Sequence, residues 1–257
     1  MTGLRAVIGS LVNGVAARLG FTVLPTWRME NLPAAQLLRR LFDHLAIDCV
    51  IDVGANDGGY YRFLRRELGY GGLVVSFEPI PRLVEGLRRT AAAERDWVIE
   101  GCALGAEPGT ATLNVAQMPV FSSFLQPLDD KVARFEGYNT VQERITCPVR
   151  TLADVLPELR ARHGARNIFL KLDTQGFDLK VMQGAGALLG EIRAVQTELS
   201  VIPIYADMPA FDEVLRFLQA RGFALSGIFP VEGAPFPLLV EMDGILINRA
   251  YLAPPAG

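Results

Sequence analysis

The sequence predicts an α/β protein built on a mainly parallel sheet with helices on both faces. Two observations lead to this fold class. Short apolar runs, typical of buried strands, alternate with helical patterns from Cys49 onward, and a glycine-rich turn follows the first run. The chain has 257 residues, of which 50% are hydrophobic, which suffices for one large domain and excludes a mainly disordered protein. Its net charge of −3, without long basic runs, argues against a nucleic-acid partner.

Residues 1–48 are predicted to form a helical extension that precedes the main domain. A first helix is expected over residues 4–19, and a second from an N-cap at Asn31 to about Leu45. The first helix is apolar but too short to span a bilayer. We interpret it as an amphipathic helix that packs on the protein or lies on a membrane surface, rather than as a cleaved signal. The expected location is therefore cytoplasmic, with peripheral contact at the inner membrane face as a second option.

The main domain, residues 49–257, is expected to alternate strands and helices. The predicted strands are Cys49–Val53, Leu73–Phe77, Trp97–Glu100, Asn167–Leu172, Ala194–Leu199, Phe223–Phe229 and Leu238–Asn248. Of the predicted helices, the first ends near Leu68 and the second spans Leu83–Ala92. The third begins near Leu179, and the fourth spans Phe211–Ala220. Crossover helices make the first five strands parallel. The last two strands, joined by a turn rich in proline and glycine, are predicted to finish the sheet as an antiparallel pair.

An insertion at about 109–148 interrupts this alternation. Its pattern is irregular, with a hairpin expected over Thr110–Val115 and a helical piece after Asp129. A long insertion between core strands is more often a substrate lid than an extra core layer. We therefore expect it to cover the functional site.

The three cysteines, Cys49, Cys102 and Cys147, are widely spaced and form no Cys-x-x-Cys pair. This spacing indicates neither a zinc site nor a disulfide framework. We expect buried free thiols in a reducing compartment.

The strongest functional pattern is Asp52-Val-Gly-Ala-Asn-Asp-Gly-Gly, at the end of the first strand. Gly54 allows a tight turn from strand to helix, and Gly58 lets the helix approach the sheet. Between them, at Ala55 and Asn56, the backbone can run close beside a nucleoside. The Gly-x-x-x-Gly spacing lacks the pattern that binds a dinucleotide pyrophosphate. It favours a ligand without phosphates that joins an amino acid to a nucleoside, with Asp52 facing the cationic end.

A second acid, Glu78, ends the next strand in Ser76-Phe-Glu-Pro. A carboxylate at that position can accept hydrogen bonds from both hydroxyls of a ribose. The glycine turn and Glu78 stand on consecutive strands. Together they predict a binding site for S-adenosylmethionine.

Four motifs, in order, resemble the FkbM family of S-adenosylmethionine-dependent methyltransferases. They are Asp52-Val-Gly-Ala-Asn-x-Gly, Ser76-Phe-Glu-Pro, Lys171-Leu-Asp-Thr-Gln-Gly and Gln183-Gly-Ala. The resemblance extends from about Cys49 to Arg249. It implies a Rossmann-like class I methyltransferase fold and methyl transfer, mostly to hydroxyl groups. The implied acceptors are often sugars of glycolipids, surface polysaccharides or antibiotics.

The resemblance also implies further cofactor contacts. Pro79 belongs to the second motif, and Cys102 and Ala103 follow the third strand, where class I enzymes line the adenine pocket. Ser122 in the insertion is expected to contact the cofactor or the acceptor. One position departs from the family pattern, because Gln175 replaces a carboxylate that the family commonly has there.

Three residues are candidates for catalysis. Strand alternation puts Lys171 and Asp173 on one face at the carboxyl edge of the sheet, where open α/β folds bind ligands. Asp173 can take the proton of an acceptor hydroxyl while Lys171 orients it or steadies the developing alkoxide. Glu198, at the end of the fifth strand, is expected to bind acceptor hydroxyls. No metal is predicted, since carboxylates alone fit a hard cation only loosely.

Two other functions remain open from the sequence. One is a cofactor-binding module without catalysis, which the change at Gln175 would suit. The other is a nicotinamide-dependent reductase, which is disfavoured because no tyrosine has a lysine four residues later. The leading interpretation is an O-methyltransferase with a small-molecule, glycan or glycolipid acceptor.

Overall fold

The computed structural model describes residues 31–128, 137–231 and 237–252, together with Arg18, Gly20 and Phe21. The helix expected over residues 4–19, apart from Arg18, and the helical piece expected after Asp129 lie outside these residues.

Ten strands and six helices form the described part of the chain. The strands are β1 (Cys49–Val53), β2 (Leu73–Phe77), β3 (Trp97–Glu100), β4 (Ala103–Leu104), β5 (Gly109–Ala116), β6 (Val141–Arg150), β7 (Ile168–Leu172), β8 (Ala194–Ser200), β9 (Phe223–Pro230) and β10 (Glu241–Asn248). The helices are α1 (Leu32–His44), α2 (Gly59–Phe63, continued by a π-helical turn over Leu64–Leu68), α3 (Pro81–Ala91), α4 (Leu152–His163), α5 (Asp178–Gln183) and α6 (Phe211–Gln219). Three short 3₁₀ turns cover Pro119–Phe121, Gly186–Glu191 and Arg249–Tyr251.

The central sheet has seven strands in the order β3-β2-β1-β7-β8-β10-β9. The first five are parallel, and β10 runs antiparallel to both of its neighbours. The predicted α/β fold, with an antiparallel pair after a parallel sheet, is confirmed. The order adds a feature that the sequence did not predict, because β10 lies between β8 and β9. Its first residues therefore lie at the carboxyl edge of the parallel strands.

Two apolar cores cover the two faces of this sheet. Alternation along β1 sends Ile51 and Val53 into one core, with α4, α5 and α6, and sends Val50 into the other, with α1 and α2. Both cores continue across the neighbouring strands. The sheet is thus buried on both sides, as expected for parallel strands.

Helix α1 is part of the second core. Its apolar stripe includes Leu38, Leu41 and Phe42, and the ring of Phe42 lies 4.8 Å from that of Phe169 in β7. The helix begins one residue after Asn31, as predicted. The side chain of Asn31, however, makes no capping hydrogen bond.

The hairpin expected over Thr110–Val115 is wrong. These residues form one strand, β5, which pairs antiparallel with β6, and β4 completes a three-stranded second sheet on the other side of β6. The partner strand begins only at Val141, and it is rich in charged and polar residues. Apolar runs therefore could not reveal a pairing between such distant segments.

All three cysteines are free and buried. Burial raises the pKa of Cys49 to about 12 and those of Cys102 and Cys147 to about 11. Within the ranges that the structure describes, no helix has the length and apolar character needed to cross a membrane.

Candidate active site

A cavity of about 330 Å³ lies at the carboxyl ends of β1, β2 and β7, between α2 and the segment 113–124. Nine of the predicted site residues line it: Gly54, Ala55, Asn56, Glu78, Pro79, Ala103, Ser122, Lys171 and Asp173. The other four, Asp52, Gly58, Cys102 and Glu198, lie outside its wall. A ligand cavity at this edge is the position expected for an open α/β sheet.

The glycine turn owes its shape to a close contact with β7. Gly54 has a φ of +81°, and a Cβ at this position would lie 2.0 Å from the carbonyl oxygen of Asp173. Gly58, with a φ of +82°, has a different role: a Cβ there would meet Leu87 and Trp97 at 3.0 Å. Gly58 thus allows α2 to pack on its neighbours and does not reach the cavity.

Glu78 is buried at one end of the cavity. Its carboxylate accepts hydrogen bonds from the backbone N–H of Asn56 at 2.8 Å and of Ile80 at 2.9 Å. Burial raises the pKa of Glu78 to about 7, although these two backbone donors lower it. Each carboxylate oxygen keeps a further lone pair, so the group can accept hydrogen bonds from two ligand hydroxyls.

A row of polar side chains crosses the sheet beneath the cavity. The strand register places Ser76, Asp52, Lys171 and Gln196 side by side on one face. The indole N–H of Trp97 donates to Ser76 at 3.0 Å, and the hydroxyl of Ser76 donates to Asp52 at 3.0 Å. The second oxygen of Asp52 lies 3.3 Å from Nζ of Lys171. These contacts fix the position of the Lys171 side chain.

The structure corrects the role expected for Asp52. Its side chain is fully buried, so it cannot face the cationic end of a ligand. Its positively charged partner is Lys171, because the register makes the two residues neighbours on adjacent strands. Asp52 is a residue that positions the lysine.

Lys171 and Asp173 meet at the cavity wall, as strand alternation predicted. Nζ of Lys171 lies 3.4 Å from Oδ2 of Asp173 and 5.2 Å from the ring centre of Tyr60. Burial lowers the pKa of Lys171, but the charges of Asp173 and Asp52 outweigh it, so the pKa lies above its ordinary value. The lysine therefore stays protonated, and the half-exposed carboxylate of Asp173 is open to a ligand.

A second polar row lies one step nearer the sheet edge. Glu198 in β8 stands directly opposite Asp243 in β10, and Gln175 donates from Nε2 to Asp173 at 3.1 Å and to Glu198 at 3.2 Å. Glu198 thus lies behind Gln175 and does not line the cavity. Its expected contact with acceptor hydroxyls is not supported, because the glutamine occupies the intervening position.

Glu198 and Asp243 in this second polar row lie close to a third acid, Glu241. Burial, with Glu241 and Asp173 nearby, raises the pKa of Glu198 well above its usual range. Burial also raises the pKa of Glu241 to about 7 and that of Asp243 to about 6. In the part of the chain that the structure describes, no three His, Cys, Asp or Glu residues are arranged to hold a metal ion.

Asp178 ties the loop after β7 to β8. Its carboxylate accepts from the backbone N–H and the hydroxyl of Thr174, and from the hydroxyl of Thr197 at 2.7 Å. It also accepts from the backbone N–H of Glu198 at 3.1 Å. Burial raises its pKa, against the hydroxyl donors that lower it.

The residues expected around the adenine separate at β4. Ala103, in β4, lines the cavity, whereas Cys102, the residue before β4, is buried in the apolar core with α4, α5 and α6. Ser122 lines the cavity and accepts a hydrogen bond from the backbone N–H of Ala116 at 3.1 Å.

The polar residues of the cavity that sequence reasoning missed include Tyr60, Gln196 and Asp243. The phenol of Tyr60 donates to Gln196 at 2.8 Å. Gln196 could have been found, because it lies two residues before Glu198 and so on the same face of its strand. Asp243 could not, because its place at this edge depends on the position of β10 in the sheet.

A scan against models of known families matches residues 52–225 to the methyltransferase FkbM domain. This match covers more than half of the chain. The chain belongs to the FkbM methyltransferase family. It is therefore an S-adenosylmethionine-dependent methyltransferase with the Rossmann-like class I fold that the motifs implied.

Solved structures show weak similarity to this FkbM-family chain. The methyltransferase FkbM of Methylobacillus flagellatus KT shares 14% identity over 77% of this chain and 43% of that chain, with a TM-score of 0.44. An O-methyltransferase of Bacillus cereus in complex with SAH shares 13% over 96% and 91%, with a TM-score of 0.44. An rRNA methylase of Streptococcus thermophilus shares 10% over 84% and 94%, also at 0.44. The chain spans less than half of the M. flagellatus protein. No curated protein matches the present chain.

Proposed function

We propose that this methyltransferase transfers the methyl group of S-adenosylmethionine to a hydroxyl oxygen. The proposed acceptor is a sugar of a glycolipid, a surface polysaccharide or a natural product. One observation supports this above all. A single cavity joins the glycine turn and Glu78 to the Lys171–Asp173 pair. Cofactor and acceptor groups therefore meet in one space.

The residues at the first end of the cavity fit the cofactor. The backbone at Gly54, Ala55 and Asn56 lines the cavity, so a nucleoside can lie close beside it. Glu78 has free acceptor capacity for the ribose hydroxyls. Ala103 and its apolar neighbours would contact the adenine.

The second end of the cavity supplies the proton chemistry. The bound cofactor supplies a methyl group on a sulfonium, from which the acceptor oxygen displaces a neutral thioether. The C–S bond breaks as the O–C bond forms, and the electron pair of the C–S bond stays on sulfur. Asp173 takes the hydroxyl proton, and the ammonium of Lys171 holds Asp173 and steadies the developing negative charge.

The acceptor is proposed to be a small molecule or a glycan rather than a nucleic acid. Tyr60, Gln196 and Asp243 offer hydrogen-bonding groups to several hydroxyls. Asp173 and Asp243 also disfavour a strongly anionic acceptor. The insertion contributes Val120, Ser122 and Phe124 to the wall, among others, which supports its proposed role as a lid over the acceptor.

The cofactor assignment is tested by calorimetric titration of S-adenosylmethionine, S-adenosylhomocysteine and NADH against wild type and Glu78→Ala. Micromolar binding of the first two, weakened in the variant, is the expected result. Labelled S-adenosylmethionine would then be offered with a panel of glycosides and glycolipids. Asp173→Asn is expected to lose turnover while it keeps its affinity for S-adenosylhomocysteine. Full activity of this variant would refute the role of Asp173.

We also propose a cytoplasmic location with peripheral membrane contact through residues 1–20. Co-sedimentation with vesicles of anionic phospholipid tests this contact. Deletion of residues 1–20 is expected to abolish co-sedimentation and to leave cofactor affinity unchanged. Equal sedimentation of both proteins would refute the contact.

A further inference from the structure

Gln175 stands at the centre of the second polar row in an unusual backbone conformation. It lies in the loop between β7 and α5, has a φ of +51° and is 6% exposed. A residue other than glycine in this region carries conformational strain. Its surroundings must therefore hold it there.

Every polar atom of the Gln175 side chain has a partner. Nε2 donates one hydrogen to Oδ1 of Asp173 at 3.1 Å and the other to Oε2 of Glu198 at 3.2 Å. The hydroxyl of Tyr205 lies 3.0 Å from Oε1 of Gln175 and 2.8 Å from the carbonyl oxygen of Phe121. These two acceptors share its single proton. The backbone carbonyl of Gln175 accepts from the hydroxyl of Ser123 at 2.7 Å.

The chemistry of these partners requires an amide with this orientation. Two carboxyl groups converge on Nε2, and carboxylates only accept hydrogen bonds. An acid at this position would put three carboxyl groups together, so at least one would have to keep a proton. The amide supplies both donors without adding charge.

Asp173 is consequently held from two sides. Gln175 donates to Oδ1, and Lys171 lies 3.4 Å from Oδ2. The charged groups around the bridge include Asp178 from α5 and the β10 acids Glu241 and Asp243, all of which disfavour further negative charge here. A donor between Asp173 and Glu198 counters that effect.

We propose that Gln175 is a positioning residue for methyl transfer, which keeps the carboxyl group of Asp173 turned toward the cavity beside Glu198. This inference rests on the proposed function, in which Asp173 receives the acceptor proton. It assigns a role to the residue at which this chain departs from the pattern of its family.

The test uses the charge difference between two ligands. S-adenosylmethionine has a positive sulfonium, and S-adenosylhomocysteine has a neutral thioether in its place. The ratio of their dissociation constants therefore reports the negative charge near the reacting methyl group. Calorimetry at pH 7.5 would give this ratio for the full chain.

Gln175→Met keeps the side-chain length and removes both donors. We expect the preference for S-adenosylmethionine over S-adenosylhomocysteine to fall by about threefold, because the carboxyl group of Asp173 loses the donor that keeps it turned toward the cavity. Gln219→Met, at an exposed position of α6, is the matched control and should give the wild-type ratio. A wild-type ratio for Gln175→Met would overturn the proposal, since a residue that only fills space would give that result.

A second variant covers the case in which Gln175→Met does not fold. Gln175→Glu can donate one hydrogen bond when its carboxyl is protonated, but none when it is ionised. Relative to wild type, its thermal unfolding temperature should fall further at pH 8 than at pH 5.5. Equal losses at both pH values would contradict the bridge. Absence of any cofactor binding by wild type would instead refute the proposed function, and the unfolding comparison would still decide the bridge.

Discussion

Asp52 belongs to the glycine-turn motif, yet its side chain is buried outside the wall of the cavity. Its carboxylate is fully buried between Ser76 and Lys171, and one of its oxygens has the lysine as its charged neighbour. A buried charge that loses its partner is costly, because neither water nor another charge compensates it. The pair therefore matters for folding and for the position of the lysine.

We predict that Asp52→Ala lowers the free energy of unfolding by about 3 kcal/mol, because it leaves the buried Lys171 with Asp173 as its remaining close counterion. Urea unfolding at pH 7 measures this. Asp212→Ala is the control, since Asp212 forms an exposed ion pair with Arg216 and should change stability little. A loss for Asp52→Ala as small as that of the control would contradict the assigned role.

Glu78 is predicted to make cofactor binding sensitive to pH near neutrality. Its pKa is about 7, and the ionised form accepts more hydrogen bonds than the protonated form. We expect the affinity for S-adenosylmethionine to be about tenfold lower at pH 6 than at pH 8, as the ionised fraction falls. Calorimetry of wild type and Glu78→Gln measures this, and the difference between the proteins removes the titration of the ligand itself. A parallel pH dependence in both would disprove the effect.

The conformation of the turn between β1 and α2 depends on its contact with the end of β7. Its backbone passes so close to the end of β7 that Gly54 has no room for a side chain. The same contact brings the cofactor end of the cavity next to Asp173. A substitution in the turn should therefore disturb both ends of the site.

Gly54→Ala should abolish S-adenosylmethionine binding and strongly destabilise the protein, because the new methyl group would overlap the carbonyl oxygen of Asp173. Gly69→Ala is a matched control: Gly69 has a similar φ of +70°, but no atom lies within 4 Å of its Cβ position. That change should cost about 1 kcal/mol from backbone strain alone. Calorimetry and thermal unfolding of both variants make the comparison. Similar losses in the two proteins would show that strain, not the contact, dominates.

The insertion is a second element that reaches the site. The pairing of β5 with β6 carries the segment 119–124 to the cavity wall, and Ser123 donates to the backbone of Gln175. The insertion is thus bound to the same loop that presents Asp173.

Three acids stand together at one edge of the sheet, of which Glu241 is buried and the other two are partly buried. Glu198, Glu241 and Asp243 stand on β8 and β10, and burial raises their pKa values. For a raised carboxyl pKa, the native state binds more protons than the unfolded state. Stability therefore falls as the pH rises from the unfolded pKa, and the loss is complete above the folded pKa.

Accordingly, we expect the free energy of unfolding to decrease between pH 4.5 and about pH 7, the range set by the carboxyl of Glu241. Glu241→Gln should reduce this slope, because it removes one titrating group. Glu213→Gln, at an exposed position of α6, should leave the slope as in wild type. Thermal unfolding at four or five pH values tests both statements. A Glu241→Gln slope equal to that of wild type would count against the shifted pKa.

The sequence by itself determined the central strands, the main helices and the glycine turn. These features are local: an apolar run, a helical period or a required positive φ is encoded within a few neighbouring residues. The same alternation correctly placed Lys171 and Asp173 on one face. The family motifs are equally local, and they identified the cofactor.

The tertiary structure decided which distant residues meet. The position of β10 between β8 and β9 brings Asp243 opposite Glu198, and the register of β1 with β7 makes Lys171 the partner of Asp52. The bridge formed by Gln175 depends on the same arrangement. These contacts could not be predicted from the sequence, because they depend on strand order, register and burial, and none of these leaves a periodic signal in the chain.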